Sequence, residues 1–306
     1  MGISSNNGLV WQSITAENLD LGLSIGSGQP LAFHSDYLSD LGVEKLTYST
    51  SKGIIFLRKK ESRLSFSYLG DYKNAEARKE IISRFGLEDD FGEICNKIDT
   101  DQFMHEALSK LNGLRVTLND PWETTLCFLI SQFNNIKRIR GITQKIVANF
   151  GSDVSIDGTS YKLFPRPEEI ASATLLEIRS CGTGFRDKYI KRVAEECSNG
   201  LNLASLGNME YSEAKKELMA LDGIGDKVAD CILLFGYKRF EAFPIDSWVK
   251  RIIENVYFKG KKKSIREIHA HAESKWGDLA GYAQQYLYWH GRESKIGKNK
   301  KASSNH

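Results

Sequence analysis

Apolar positions along this chain keep two different rhythms. Between about residues 20 and 70 they alternate with polar ones or gather in short β-rich runs, "LTYSTS", "GIIFLRKK" and "RLSFSYLG", parted by Gly, Ser and Lys turns. That pattern predicts an antiparallel sheet. After residue 73 the repeat lengthens to that of a helix and holds to about 290. The chain is therefore expected to be α+β, with an N-terminal antiparallel β-sheet domain over 1–99 and an all-helical domain over 100–291. The tail over 292–306, basic and without apolar pattern, is expected to be disordered.

Several helix boundaries follow from local chemistry. In "NDPWETTLCFLISQFNN", Asp120 is placed to cap a helix, Pro121 suits its first position and Glu123 would complete a capping box. Trp122, Leu126, Leu129 and Phe133 then recur at helical spacing. A second helix is expected from Asn135 to Phe150, stopped by Gly151, which leaves Phe133, Asn134 and Asn135 at a joint between helices. Thr174 with Glu177 caps a short helix that breaks at "CGTG", and Phe185 stands at the threshold of the next one.

Composition narrows the class. In a chain of 306 residues, 41% hydrophobic, no run approaches the roughly 20 apolar residues of a membrane span, and "MGISSNNGLVWQ" lacks the pattern of a targeting leader. An intracellular protein is expected. Cys95, Cys127, Cys181, Cys197 and Cys231 are scattered and form no CxxC pair, which argues against a disulfide framework, a zinc site or an iron–sulfur cluster. The net charge of +3 does not announce a nucleic-acid partner. Basic runs occur at Arg58–Lys60 with Arg63, at Lys137, Arg138 and Arg140, at Lys188 with Lys191 and Arg192, and at Lys259 with Lys261–Lys263, although such runs are often no more than solvated faces.

The most specific stretch is "LMALDGIGDKVADCILL", which sets Leu218, Leu221, Gly223, Gly225, Ala229 and Leu233 in the spacing of a helix-hairpin-helix. The leucines pack the first helix, the glycines permit positive φ and close approach to the backbone, and Ala229 lets the second helix sit near the first. Outward N–H groups at the start of that second helix form an anion site able to hold a phosphodiester without reading sequence. Lys227 falls in its first turn, one turn before Cys231. A solvated lysine is under about 0.1% neutral at pH 7, so Lys227 is either an ordinary surface cation or an activated nucleophile with a partner. Downstream, "FPIDSWVKRIIENV" offers Asp246, as that partner or merely as an N-cap.

Together, "LDGIGDKVADC" and "PID" resemble the helix-hairpin-helix DNA glycosylases, and within them the 8-oxoguanine DNA glycosylases. "SGQ" at 27–29, "DPWETTLCFLISQFNNIKRI" at 120–139, "GFRDKY" at 184–189 and "AGYAQQYLY" at 280–288 are similar, in order, to other segments of that family. The resemblance implies that Lys227 is the nucleophile and Asp246 its carboxylate partner. It implies an enzyme that flips a damaged base out of the duplex, excises it through a lysine Schiff base and nicks the abasic site by β-elimination. It places Gly28, Cys231, Gln284 and Tyr288 in the base pocket, where the Gly28 carbonyl would accept the N7 hydrogen that 8-oxoguanine has and guanine lacks. Gly223, Gly225 and Lys227 would meet phosphate. Phe185 and Arg186 match the wedge and the arginine beside it, while Asn134, Asn135 and Arg138 lie on the second insertion element.

Two positions depart from the family. Phe133 replaces the first of three consecutive asparagines found in eukaryotic members, and Trp248 stands where those members have a phosphate-contacting histidine. Looser discrimination of the opposite base is expected from the first change. The implied partner is duplex DNA carrying 8-oxoguanine or an abasic site, met by a monomer working at the chromosome, in the nucleoid or the nucleus, without cofactor or catalytic metal. Two other readings compete: a monofunctional alkylpurine DNA glycosylase, against which Lys227 argues, and a noncatalytic DNA-binding module, which leaves Asp246, Gln284 and Tyr288 unexplained.

Overall fold

The structure, a computed structural model, describes residues 9–296. The end of the expected tail, 297–306, and most of the N-terminal stretch read for a leader lie outside the described residues. After β1 (Gln12–Thr15) and α1 (Leu21–Gly26), four strands follow in a meander: β2 (Ser35–Asp40), β3 (Val43–Ser49), β4 (Gly53–Lys60) and β5 (Arg63–Gly70). Then come α2 (Asn74–Phe85), α3 (Phe91–Ile98), α4 (Gln102–Lys110), α5 (Pro121–Ser131) and α6 (Ile136–Phe150), a hairpin of β6 (Asp153–Ile156) and β7 (Thr159–Lys162), and α7 (Pro167–Ser172). The chain continues through α8 (Leu175–Ile178), α9 (Asp187–Ser198), α10 (Tyr211–Ala220), α11 (Asp226–Tyr237), α12 (Ser247–Val256), α13 (Ile265–Trp276) and α14 (Ala280–Glu293). These elements gather into two compact units, one of residues 9–89 with Gly113–Arg239 and one of Asp90–Asn112 with 240–296.

In the first unit the strands make one antiparallel sheet in the order β1-β5-β4-β3-β2. Leu46 pairs with Leu57 and Leu57 with Phe66, so alternate residues of the central strands line one face. Leu46, Tyr48, Ile55, Leu57, Leu64 and Phe66 are all buried there. The α+β class is therefore as expected, with two local differences. Within the stretch read as sheet, residues 21–26 and 30–33 are helical; Asp20 accepts the Leu23 N–H and starts α1. Within the stretch read as helix, β6 and β7 meet across Asp157 and Gly158, both at positive φ, an Asp-Gly turn between alternating residues that marks a hairpin.

Helix α5 is the unit's axis. Trp122 through Ile130 are all buried, and the helix packs against both α6 and α11. Asp120 caps it as expected, accepting from the Trp122 and Glu123 amides. Glu123, however, does not close a capping box. Its carboxylate turns into the core, where His34 Nε2 lies 2.6 Å from Oε1 and the Arg84 guanidinium lies 3.2 and 3.3 Å from the two oxygens. Arg84 also donates to Asn119 and Glu80 and lies over the Tyr48 ring. Burial pushes the Glu123 carboxyl upward, but Arg84 and then His34 outweigh it and hold its pKa at about 2. Gly151 ends α6 as expected, though not through a left-handed conformation: its φ is −71°, and a side chain there would strike the Leu163 carbonyl.

The second unit is helical. Helix α14 packs on α3, α4, α12 and α13, which buries Tyr282, Ala283, Tyr286 and Leu287 completely. At Gly291 a Cβ would lie 2.5 Å from Ile252 Cδ1, so the close approach of α12 requires glycine. Asp90, Asp101 and Ser264 cap α3, α4 and α13 by accepting backbone N–H groups. Among the described residues no helix is long and apolar enough to cross a membrane.

Candidate active site

The hairpin predicted from "LDGIGDKVADC" is present, its helices being α10 and α11. Leu218, Leu221, Ala229 and Leu233 are buried between and behind them. Gly223 has φ +81°, and a Cβ there would lie 2.6 Å from Tyr189 Cγ on α9, so both backbone and neighbour demand glycine. Gly225 differs: its φ of −95° suits any residue, and nothing lies within 4 Å of a Cβ built there. No side-chain hydrogen bond from Gly225 caps α11, whose N-terminus carries the positive end of the helix dipole. Lys215 of α10 braces the hairpin from behind, 2.8 Å from both Asp226 and Asp230 of α11, while Arg192 of α9 pairs with Asp222 in the turn.

Lys227 is half-buried in the first turn of α11, its Nζ 5.2 Å from the centre of the Phe128 ring. An aromatic face removes water from one side of the ammonium. Cys231, one turn on, is buried. Gly28, also in this unit, has φ +81°. Gln29 is fully buried; its amide nitrogen donates to the carbonyls of Ser24 and Arg115 and to Ser27 Oγ, and its Oε1 accepts the Thr117 backbone and hydroxyl. Every polar capacity of that side chain serves to fix the backbone beside Gly28.

The candidate insertion residues converge on one loop cluster. Helix α5 stops at Ser131, two residues before the expected core stripe ends, so Phe133 does not extend that stripe. It is 91% exposed with φ +47°. Its ring centre lies 6.3 Å from that of Phe185, itself 48% exposed, and Phe185 meets Tyr189 edge-on at 6.4 Å. Arg186 is buried beneath them, with its guanidinium 4.5 Å from the Phe185 ring centre. It donates through Nε to the Gln132 carbonyl at 2.8 Å, through Nη1 to Thr183 at 3.0 Å and through Nη2 to Phe133 at 3.3 Å. Asn134 closes the end of α5 on the Ile130 carbonyl, and Asn135 caps α6 by accepting the Arg138 amide; the Arg138 side chain is exposed. Burial and then the Arg138 charge lower the pKa of Arg186.

The remaining candidates belong to the second unit. Asp246 caps α12, its Oδ1 accepting from Trp248 at 2.9 Å and Val249 at 2.7 Å, so the cap and the proposed partner are the same carboxylate. Trp248 lies under the Arg251 guanidinium. Gln284 is buried, with Nε2 donating to the Pro244 carbonyl at 3.2 Å, which ties α14 to the segment leading into Asp246. Its Oε1 is buried and accepts from no described group. Tyr288, one turn on and half-buried, accepts from Arg292 at 2.7 Å.

Sequence reasoning missed Gln132, whose Nε2 donates to the Gly223 carbonyl at 3.0 Å, and the scaffolding work of Tyr189 and Gln29. Gln29, Tyr189 and Gln132 all lie inside the segments that carried the resemblance, but nothing local marks the role of Gln132, because its partner is 91 residues away.

The chain is similar to known proteins along nearly its whole length. Residues 13–125 match the model for the 8-oxoguanine DNA glycosylase N-terminal domain, and residues 126–278 that of the HhH-GPD superfamily base excision DNA repair proteins. A solved structure of MBOgg1 in complex with a low-affinity DNA ligand is 30% identical with a TM-score of 0.85, covering 96% of this chain and 99% of that one. The 8-oxoguanine glycosylase/lyase of Clostridium acetobutylicum, solved with duplex DNA containing cytosine opposite 8-oxoguanine, is 27% identical with a TM-score of 0.83, over 97% and 99% of the two chains. A probable N-glycosylase/DNA lyase of Methanothermobacter thermautotrophicus is 28% identical over 73% of this chain and 78% of its own. On the family model that spans half its length and the near-complete structural match, the chain belongs to the HhH-GPD superfamily of base excision DNA repair proteins.

Proposed function

We propose that this chain is a bifunctional DNA glycosylase that excises 8-oxoguanine from duplex DNA and then nicks the strand. The observation that carries the reading is Lys227, a lysine on the hairpin helix with its ammonium against an aromatic ring, in a family of base excision proteins. In this reading the N-terminus of α11 binds phosphate and the damaged nucleotide leaves the stack. The Lys227 amine, once deprotonated, attacks C1′ as the bond to N9 breaks and the base departs with the electron pair. Asp246 stabilises the cationic character of the sugar through the carboxylate oxygen that the α12 cap does not use. Ring opening gives a Schiff base; loss of a C2′ proton then expels the 3′ phosphate.

The base would be read at two atoms. The Gly28 carbonyl, on backbone fixed by Gln29, accepts the N7 hydrogen of the lesion, whereas guanine would present a lone pair to it, a mismatch of about 1–3 kcal/mol. Gln284 Oε1, buried and accepting from no described group, suits an N–H on the purine's Watson–Crick edge, with Tyr288 one turn on to stack on its plane. We place the enzyme with the chromosome, acting as a monomer.

Borohydride trapping on a duplex with one 8-oxoguanine opposite cytosine tests this directly. A covalent adduct is expected for the unsubstituted protein and none for Lys227→Gln, which should still bind the duplex because the phosphate contacts fall mostly on backbone. An abasic product without adduct would mark a monofunctional enzyme. Release of no base would turn attention first to alkylated purines and then to a noncatalytic binding module.

A further inference from the structure

We propose that Gln132 is a positioning residue that ties the insertion loop to the hairpin turn, so that the Phe133 ring is held ready to fill the space left by a flipped base. The inference rests on the glycosylase reading above. Gln132 is gripped at both ends. Its side-chain amide donates to the Gly223 carbonyl at 3.0 Å, and its own carbonyl receives the Arg186 guanidinium, through Nε at 2.8 Å and also through Nη2. The next residue is Phe133, in the left-handed region at φ +47° and with 91% of its surface in solvent. That backbone conformation is strained for a residue with a side chain, and an exposed ring supplies no packing to hold it. Its neighbours supply the hold instead: Arg186 on the carbonyls of residues 132 and 133, and Asn134 on the end of α5.

Through Gln132 this loop shares a hydrogen bond with the turn whose following N–H groups are the phosphate site. Loss of the bond would let the loop drift while leaving the phosphate donors and Lys227 in place. Base extrusion should then suffer, and the later chemistry should not.

The test uses Gln132→Met, which keeps volume and removes the donor, and Gln132→Glu, which sets a carboxylate against the Gly223 carbonyl. Single-turnover excision of 8-oxoguanine opposite cytosine is compared with cleavage of a preformed abasic site in the same duplex. A 2-aminopurine beside the lesion reports extrusion. Both variants should lose about tenfold in excision, with slowed fluorescence change, while abasic cleavage stays within about twofold. The deficit of Gln132→Glu relative to the unsubstituted protein should shrink from pH 8 to pH 5, as its carboxyl takes up a proton and regains a donor; that of Gln132→Met should not. Equal losses on both substrates, or excision at the unsubstituted rate, would overturn the proposal. Inactivity of the unsubstituted protein on the lesion would overturn the glycosylase reading and this inference with it.

Discussion

Phe133 projects an apolar ring where an asparagine in eukaryotic members could hydrogen-bond. A ring fills a gap in stacked bases well and distinguishes poorly among the partners left behind, since every base offers an apolar face. Arg186 cannot make up the difference without leaving three backbone carbonyls. Excision rates opposite cytosine, adenine, guanine and thymine should therefore fall within a few-fold of one another. Phe133→Asn should widen the preference for cytosine by about fivefold, the worth of about 1 kcal/mol from one added hydrogen bond. Single-turnover rates on the four duplexes decide this; a cytosine preference as steep as that of a eukaryotic member would refute it. At this scale the sequence was most informative where neighbours in sequence are neighbours in space. Lys227 and Asp246 stand at fixed offsets in short motifs, whereas the bond from Gln132 to Gly223 joins two loops far apart in sequence and leaves no local trace.

The hairpin separates two reasons for a glycine within three residues. Gly223→Ala must strain a φ of +81° and push into Tyr189, so it should destabilise the protein by about 1–3 kcal/mol and disturb the neighbouring Phe185. Gly225→Ala meets nothing within 4 Å and needs no unusual backbone, so its melting temperature should match that of the unsubstituted protein. If phosphate approaches there, duplex binding should nonetheless weaken several-fold, uniformly across sequences. Melting curves and binding isotherms for the two variants measure these effects independently, and unchanged binding by Gly225→Ala would place the phosphate elsewhere. Elements such as these were legible because their patterns are local: β4 and β5 coincide with the apolar runs that predicted them, and the cap at Asp120 starts α5. The β6–β7 hairpin escaped because four-residue strands are too short to show a period, though its Asp-Gly turn was in plain view. Glu123 escaped for a different reason. Its helical position suits a capping box, but His34 and Arg84, distant in sequence, offer a stronger charge interaction in the core.

On the scale of the whole molecule, that buried cluster joins the sheet-bearing part of the first unit to α5. Its energetics have a definite sign. Because the folded-state pKa of Glu123, about 2, lies below the ordinary value of 4.5, its contribution is present above pH 4.5 and is lost as pH falls towards 2. The loss amounts to roughly 3 kcal/mol. Denaturant midpoints should decline through this window, and Glu123→Gln, which strands the Arg84 guanidinium in the core, should cost about 3–5 kcal/mol at neutral pH. A midpoint insensitive to that substitution would show that the cluster contributes little. The bonds around Gln29 bear on a different property, that of search. If the Gly28 carbonyl reads N7 as proposed, the fully buried Gln29 amide beside it makes it a stiff gauge, one that would accept or refuse each visiting purine without reshaping itself. For a repair protein surrounded by intact guanine, the dwell on each undamaged base would then be set by how quickly the base falls back into its stack, and not by how long the protein takes to recover.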